Sequence, residues 1–594
     1  MDFRRLFDIL PYQQARYPQK IALSARQGIS WKHYSTEACL AEINRVSAGL
    51  LDLGVKKGEK IGIMTYMGSP QWNFLDIGMQ QIGVIVVPIH ASIGTKDLAY
   101  ILKEAAIKYC IVANRELYNK VRSIKTEVPL LQTIYTLEQL PDAPYWETLC
   151  KEPTAKHYEI FQTYKAAIHE DDLATIIYTS GTTGDPKGVM LSHKNMVSNI
   201  KSIIALVPIN YTKKAISFLP MSHVFERMVA YTYMAAGTSI YYASKREDLG
   251  ELMREVHPHF FSAVPRFLEK AYEQIIERST EKGKMAKRIA RWAIRLGKRY
   301  KGSKKMNMLY WLKHLIADVL VYRIWRKSIG GKVEGIMVGA AALNPELGRL
   351  FSAAGLEVRE GYGLTETSPV VSFNRFEPGG VRFGTVGIPV PGVEVRIDAE
   401  EGEEGEEGEI LVKGPNVMMG YYEKEDATKA VLLDSGWLRT GDVGKIIHKH
   451  FLQITDRKKD IFKTSSGKYV APQRVEHQLR NSPYIEQVMV IGYNRPFVSA
   501  LVVPCFPILK QWCEENNVHW TGPQFMVLNP KVVQFMDQQI EKMNEELLKH
   551  EQIKKIHLLH QEWSEEEGEL TPTLKLKREI VQEHFQKEIE QMYV

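Results

Sequence analysis

One stretch constrains this 594-residue chain more than any other: residues 178–193, Tyr-Thr-Ser-Gly-Thr-Thr-Gly-Asp-Pro-Lys-Gly-Val-Met-Leu-Ser-His. The preceding residues 173–177, Leu-Ala-Thr-Ile-Ile, are short, apolar and β-branched near their end, which predicts a buried strand feeding a loop. The loop carries Thr179, Ser180, Gly181, Thr182, Thr183 and Gly184, then Lys187 and Gly188. Glycines let successive backbone N–H groups turn toward one point, hydroxyls add rotatable donors, and Lys187 adds a positive charge. Those parts can cradle a polyphosphate. Asp185 and Pro186 stand between Gly184 and Lys187, so the stretch is not a Walker loop, in which glycine and lysine are adjacent.

The chain is long enough for a large core and at least two domains. Its 44% hydrophobic and 25% charged content suits a soluble globular enzyme. No apolar run reaches the ~18 residues of a membrane-spanning helix, and the N-terminus mixes charges where a secretory leader would be apolar. The five cysteines (Cys39, Cys110, Cys150, Cys505 and Cys513) are scattered, with no Cys-x-x-Cys pair. That pattern points to a reducing cytoplasm and away from a zinc site or disulfide framework. Over residues 1–170, strand patterns at 61–64 and 82–89 alternate with helical patterns at 34–53 and 96–106, which predicts an α/β fold with a parallel sheet covered on both faces.

Further motifs follow in order. His223 lies just past an apolar run expected to end as a strand at Pro220. Gly339 and Ala340 lie in a small-residue turn after 336–338. Residues 361–368, Gly-Tyr-Gly-Leu-Thr-Glu-Thr-Ser, contain Tyr362, Gly363, Thr365 and Glu366. Asp442 closes 436–442, and 456–470 contains Arg457, Lys459, Lys463 and Gly467. Lys575 sits in 570–578, Leu-Thr-Pro-Thr-Leu-Lys-Leu-Lys-Arg.

Taken together these motifs resemble the signatures of the adenylate-forming enzymes (acyl-CoA synthetases, peptide-synthetase adenylation domains and luciferases), most closely the AMP-forming long-chain fatty-acid–CoA ligases. The resemblance covers essentially the whole chain. It implies a large N-terminal domain of parallel and mixed sheets flanked by helices over 1–455, and a small mobile α+β C-terminal domain over 456–594. The implied reaction is carboxylate plus ATP with Mg²⁺ giving acyl-adenylate and pyrophosphate, followed by transfer of the acyl group to coenzyme A.

The resemblance also assigns roles. The 179–184 loop and Lys187 take the phosphates. Gly339, Ala340, Tyr362 and Gly363 border the adenine, Thr365 contacts the α-phosphate, and Glu366 holds Mg²⁺. Asp442 takes the ribose hydroxyls, with Arg457 nearby. His223 lines the acyl pocket, and Arg227 stands where some fatty-acid members carry a gating aromatic residue. Lys459 is the hinge, Gly467 lines the thiol channel, and Lys463 and Lys575 are the lysines of the small domain. Two alternatives stay open: a ligase that loads a carrier protein, and a non-catalytic nucleotide-binding or membrane-tethering protein. Thiol dependence and carboxylate-dependent pyrophosphate exchange separate them.

Residues 270–332 form a basic helical insertion. Between Glu277 and Lys305 there are twelve Lys/Arg and two Glu. At about 100° per residue Ile289, Trp292, Ala293, Leu296 and Tyr300 share one face, while Arg288, Arg291, Arg295, Lys298 and Arg299 share another. Residues 308–329 continue as a second helical stretch ending at Gly330 and Gly331. Two readings of 277–329 compete: peripheral contact with an anionic membrane at the inner face, and a solvated face over a packed core. No nucleic-acid-binding motif accompanies the charge.

Overall fold

The structure, a computed structural model, describes the chain apart from residues 1, 29, 180–184, 246, 282, 302–306, 400–405, 459, 466, 565–566 and 572–575. Among the described residues the strands form five sheets.

The strand expected before the phosphate loop is Leu173–Thr179, buried along nearly its whole length. It lies inside a seven-stranded sheet, paired in parallel with Ile85–His90 and antiparallel with Lys187–Ser192. Lys60–Thr65, Ile85–His90, Tyr109–Val112 and Thr133–Thr136 continue it in parallel. The sheet is therefore mixed, because Leu173–Thr179 and Lys187–Ser192, consecutive strands on either side of the loop, pair antiparallel. A nine-stranded sheet holds a parallel core of Ser239–Tyr242, Lys214–Ser217, Phe260–Ala263, Gly335–Val338 and Glu357–Gly363, with antiparallel strands toward its edges.

Between these sheets lie two helices that expose almost nothing, Pro70–Gln80 and Val224–Ala236. Gly237, in the left-handed conformation at φ 74°, ends the second. The strand expected to reach Pro220 stops at Ser217, and the residues up to His223 lead into this helix, whose N-cap is His223.

Arg227 stands inside that helix and is fully buried. Its guanidinium donates to both Asp76 oxygens, at 2.6 and 3.1 Å, and to Thr175 Oγ1 at 2.7 Å. Tyr231 Oη also donates to Asp76, at 2.7 Å, and the Trp72 ring lies 5.4 Å from the guanidinium. One buried ion pair thus ties both central helices to the strand that ends at the phosphate loop. The side chain at the gate position is committed to this network.

A third, antiparallel sheet joins Glu394–Asp398, Gly408–Lys413, Leu438–Ile447 and Phe451–Arg457. The acidic run 400–405 falls in the connection between the first two strands. Beyond Arg457 come a two-stranded hairpin, Phe462–Lys463 with Tyr469–Val470, and a three-stranded mixed sheet under helices Pro472–Leu479, Phe506–Glu515 and Pro530–Asn544. This α+β part has its own buried core around Val475, Val490, Val502 and Met536.

Candidate active site

Both large sheets direct the carboxyl ends of their parallel strands at the candidate residues, the place where open α/β sheets bind ligands. Ile85–His90 and Leu173–Thr179 pair at Val86 and Thr175, so His90 and Thr179 end on one edge, four residues beyond. In the nine-stranded sheet Gly335–Val338 delivers Gly339 and Ala340, and Glu357–Gly363 delivers Tyr362 and Gly363.

Lys187 opens the second strand of the phosphate-loop hairpin, opposite Thr179. Gly188 follows because the strands close tightly there: a Cβ would stand 2.8 Å from Ile176 and 3.1 Å from the Tyr178 ring. The short strand Gly420–Tyr421 then adds to Lys187–Ser192 by pairing with Met190 and Val189. This places the Tyr421 ring 5.0 Å from Lys187 Nζ. The same tyrosine donates its hydroxyl to Glu366 Oε1 at 2.9 Å. Burial, reinforced by the Glu366 carboxylate, pushes the Tyr421 phenol far above its ordinary range, so it stays protonated and donates. Thr365 begins the turn that carries Glu366. The site therefore contains a Lys187–Tyr421–Glu366 chain whose middle member sequence reasoning missed.

A second group forms around Asp442. Tyr362 Oη donates to Asp442 Oδ2 at 2.7 Å, and Arg457 Nε lies 3.0 Å from Oδ1. Asp442 and Arg457 face each other as partners on neighbouring antiparallel strands. Asp442 is buried, and its charge is the main reason Arg457 holds its proton even more firmly than usual. Burial drives the Tyr362 phenol upward, with Asp442 adding to the effect. The result is a pre-oriented carboxylate with a fixed cation beside it, suited to accepting from paired hydroxyls.

The remaining positions divide by role. A Cβ at Gly363 would stand 1.8 Å from the Pro369 carbonyl oxygen, so this glycine lets the Glu366 turn close. A Cβ at Gly339 would meet the Phe225 ring at 3.5 Å, which brings this turn against the start of the His223 helix. Ala340 sits at φ 70°, the left-handed region that a non-glycine residue occupies at a cost and that recurs at functional sites. His223 Nδ1 accepts from the Phe225 N–H at 3.3 Å, and its ring centroid lies 6.1 Å from that of His90. His90, which sequence reasoning passed over, pairs with Ser222 Oγ at 2.9 Å, and burial lowers its pKa to about 4.

Lys463 and Gly467 belong to the two-stranded hairpin. Gly467 is left-handed at φ 81°, and Lys463 Nζ lies 5.3 Å from the Tyr469 ring. Among the described residues no hydrogen bond or ion pair joins either to Lys187, Glu366 or Asp442. Ser180, Gly181, Thr182, Thr183, Gly184, Lys459 and Lys575 lie outside the described residues.

With this geometry in place, comparison with known proteins identifies the class. The family model for AMP-binding enzymes matches residues 10–422, and that for the AMP-binding enzyme C-terminal domain matches 459–594. The chain belongs to the AMP-binding, adenylate-forming enzyme family. Over 574 residues it is 31% identical to the long-chain-fatty-acid–CoA ligase FadD15 of Mycobacterium bovis, covering 95% of this chain and 92% of that one. It is also 31% identical to long-chain-fatty-acid–CoA ligase 6 of Mus musculus, covering 96% and 83%. The solved A domain of the carboxylic acid reductase from Segniliparus rugosus, in complex with AMP and a co-purified carboxylic acid, superposes with a TM-score of 0.76 at 20% identity over 99% of this chain and 94% of that one. At that identity the likeness is one of fold.

Proposed function

We propose that the chain is an AMP-forming long-chain fatty-acid–CoA ligase. The observation that carries this reading is the pair of groups Lys187–Tyr421–Glu366 and Tyr362–Asp442–Arg457, joined where the Glu366 charge acts on Arg457, in a chain aligned along 95% of its length with a ligase of that kind. A carboxylate is a poor acyl donor. Joining it to AMP makes a mixed anhydride with a good leaving group, which the thiol of coenzyme A then displaces. No serine or cysteine nucleophile is needed.

In this reading the 179–184 loop and Lys187 hold the triphosphate, while Tyr362, Gly339, Ala340 and Gly363 form the adenine edge. Asp442 accepts from the ribose hydroxyls, and Arg457 fixes Asp442. Thr365 and Lys575 meet the charge that develops at the α-phosphate. His223 borders the acyl group, and Lys463 and Gly467 serve the thiol step. The Glu366 carboxylate suits a hard cation such as Mg²⁺: Tyr421 occupies Oε1, while Oε2 has no hydrogen bond among the described residues. That ion would neutralise phosphate charge. The small domain, expected from 456 but following the strand that ends at Arg457, turns about Lys459 to present Lys575 and then the Gly467 loop. The protein works in the cytoplasm, with 277–329 against an anionic membrane.

Release of AMP, measured across acids from acetate to arachidate with coenzyme A or an acylatable carrier protein as acceptor, tests the reading. Release that peaks on long-chain acids and requires coenzyme A is expected. A requirement for the carrier protein, or release independent of any acid, overturns it.

A further inference from the structure

The helical run at the end of the basic insertion is turned outward. It is built from helix Met308–Ala317, one π-helical turn Asp318–Tyr322 and helix Arg323–Ser328. Its inner side is fixed: Ala317, Val321, Tyr322 and Trp325 pack against Ala293, Leu296 and Leu350. Tyr322 Oη donates to the Ala293 carbonyl at 2.6 Å, and Tyr310 Oη to that of Leu296 at 2.9 Å.

Its outer side carries nine of the twenty-two large apolar side chains exposed among the described residues, all between positions 308 and 324. Met308 is 86% exposed, Trp311 53%, Leu312 49%, Leu315 47%, Val319 59% and Ile324 53%. The π turn takes up an extra residue, so Ile324 faces out while Trp325 faces in. An apolar row of this density on a folded surface marks an interaction site.

Charge identifies the partner. Lys313, Arg323 and Lys327 are exposed beside the row and make no ion pair among the described residues. The one carboxylate in 307–331, Asp318, is held by Arg326 at 2.6 and 2.9 Å. The run therefore offers apolar side chains and unopposed cations, and no free anion. No helix among the described residues is long and apolar enough to cross a membrane. The preceding basic helix, Lys284–Gly297, is less available: Lys287 and Arg291 both pair with Glu515 and, just beyond its end, Lys298 pairs with Glu346.

We infer that Met308–Ser328 lies in the plane of an anionic lipid surface, its outer row sunk among the acyl chains and Lys313, Arg323 and Lys327 at the headgroups. This inference rests on the ligase reading above, whose long-chain substrate partitions into the same surface. It moves the membrane contact from the arginines of the preceding helix to the apolar row.

The test is co-sedimentation of the full chain with vesicles of phosphatidylcholine alone, or with about one third phosphatidylglycerol to supply anionic charge. The unaltered protein is expected to bind the mixed vesicles. The triple variant Leu312→Gln, Leu315→Gln, Val319→Gln is expected to bind at least about tenfold more weakly, with unchanged circular dichroism and unchanged adenylation of a detergent-dispersed acid. Equal binding by the triple variant overturns the inference. So does an unaltered protein that ignores the mixed vesicles, including one that instead self-associates through this face. Binding by a protein that activates no long-chain acid would sink the ligase reading and leave the surface assignment standing.

Discussion

Tyr421 donates its hydroxyl to Glu366 at 2.9 Å across 55 positions of sequence, while its ring lies 5.0 Å from Lys187. One aromatic side chain thus spaces a cation from a carboxylate at the point where the phosphates are proposed to bind. The spacing depends on Gly420–Tyr421 joining the phosphate-loop hairpin as an extra strand.

Tyr421→Phe keeps the ring beside Lys187 and removes the hydrogen bond. A hydrogen bond to a charged group contributes about 1.5–3 kcal/mol, so pyrophosphate exchange should fall by about tenfold or more. Because Glu366 would lose its orientation, the Mg²⁺ concentration for half-maximal exchange should rise. Titration of Mg²⁺ with each protein checks this, and an unchanged Mg²⁺ response would remove Tyr421 from the site.

Asp442→Asn should weaken AMP binding more than Tyr362→Phe. The asparagine forfeits the charge that Arg457 faces at 3.0 Å, whereas the phenylalanine forfeits one neutral donor. Asparagine therefore weakens both charge-assisted bonds made to Asp442, from Arg457 and from Tyr362, whereas phenylalanine removes one of them. Calorimetric titration of AMP should show losses in that order, and the reverse order would mean that Tyr362 is the main nucleotide anchor.

These pairings explain what could be read from the chain and what could not. Lys187, Glu366 and Asp442 announce themselves because each sits in a short motif whose chemistry is local. Tyr421 and His90 do not, since each becomes a site residue only when a distant strand is laid beside the phosphate loop. Arg227 carries the same lesson in reverse. Some fatty-acid ligases carry a gating aromatic residue at its position, and the motif alone left the role of an arginine there open; its partner Asp76 lies 151 positions upstream and holds it buried. The amphipathic character of 308–329 was visible in the pattern. Which side faces out was not, because that depends on Tyr322 and Trp325 packing against the preceding helix and Leu350.

Arg227→Met should therefore behave as a stability mutation. Removing one partner of a buried ion pair costs about 3–5 kcal/mol, because the other charge is left uncompensated. Asp76→Asn combined with Arg227→Met should recover part of that loss. Denaturant midpoints test the energetics and a chain-length panel tests the alternative. A shifted acyl preference without loss of stability would instead assign this position a gating role.

Glu226 should make stability fall with rising pH. Its carboxylate accepts from Ser217 Oγ at 2.5 Å and from Ser262 Oγ, yet burial dominates and raises its pKa to about 7. A carboxyl whose folded pKa is raised contributes stability that is full below about pH 4.5 and lost as pH climbs through 7. Glu360, raised to about 8 by burial, acts in the same sense, while buried His90 and His193, lowered to about 4 and 3, act oppositely below pH 6.5. Comparing Glu226→Gln with the unaltered protein isolates one group. The stability advantage of the variant should grow by up to about 3 kcal/mol between pH 5 and 8. A constant difference over that range would mean that Glu226 does not titrate there.

The small domain is tied to the large one by ion pairs that a rotation must break. Arg266 is clasped by Glu486 and, at 2.8 Å, by Glu562; Lys287 and Arg291 reach Glu515 at 3.2 and 3.1 Å. The proposed rotation has the small domain present Lys575 in one half-reaction and the hairpin of Lys463 and Gly467 in the other. Lys575→Ala should slow acyl-adenylate formation by about 10² or more, as loss of one electrostatic stabiliser does, and spare thioester formation from supplied acyl-adenylate. Lys459→Pro should do the reverse, since proline restricts the backbone that the turn must use. A covalent tether gives the sharper test. All five native cysteines are buried, so Lys287→Cys with Glu515→Cys can be joined selectively by a short bifunctional maleimide. With the observed orientation locked, one half-reaction should survive and the other should stop. If both persist after cross-linking, or if Lys575→Ala and Lys459→Pro slow both steps alike, the two steps share one arrangement of the domains and the rotation is not part of the mechanism.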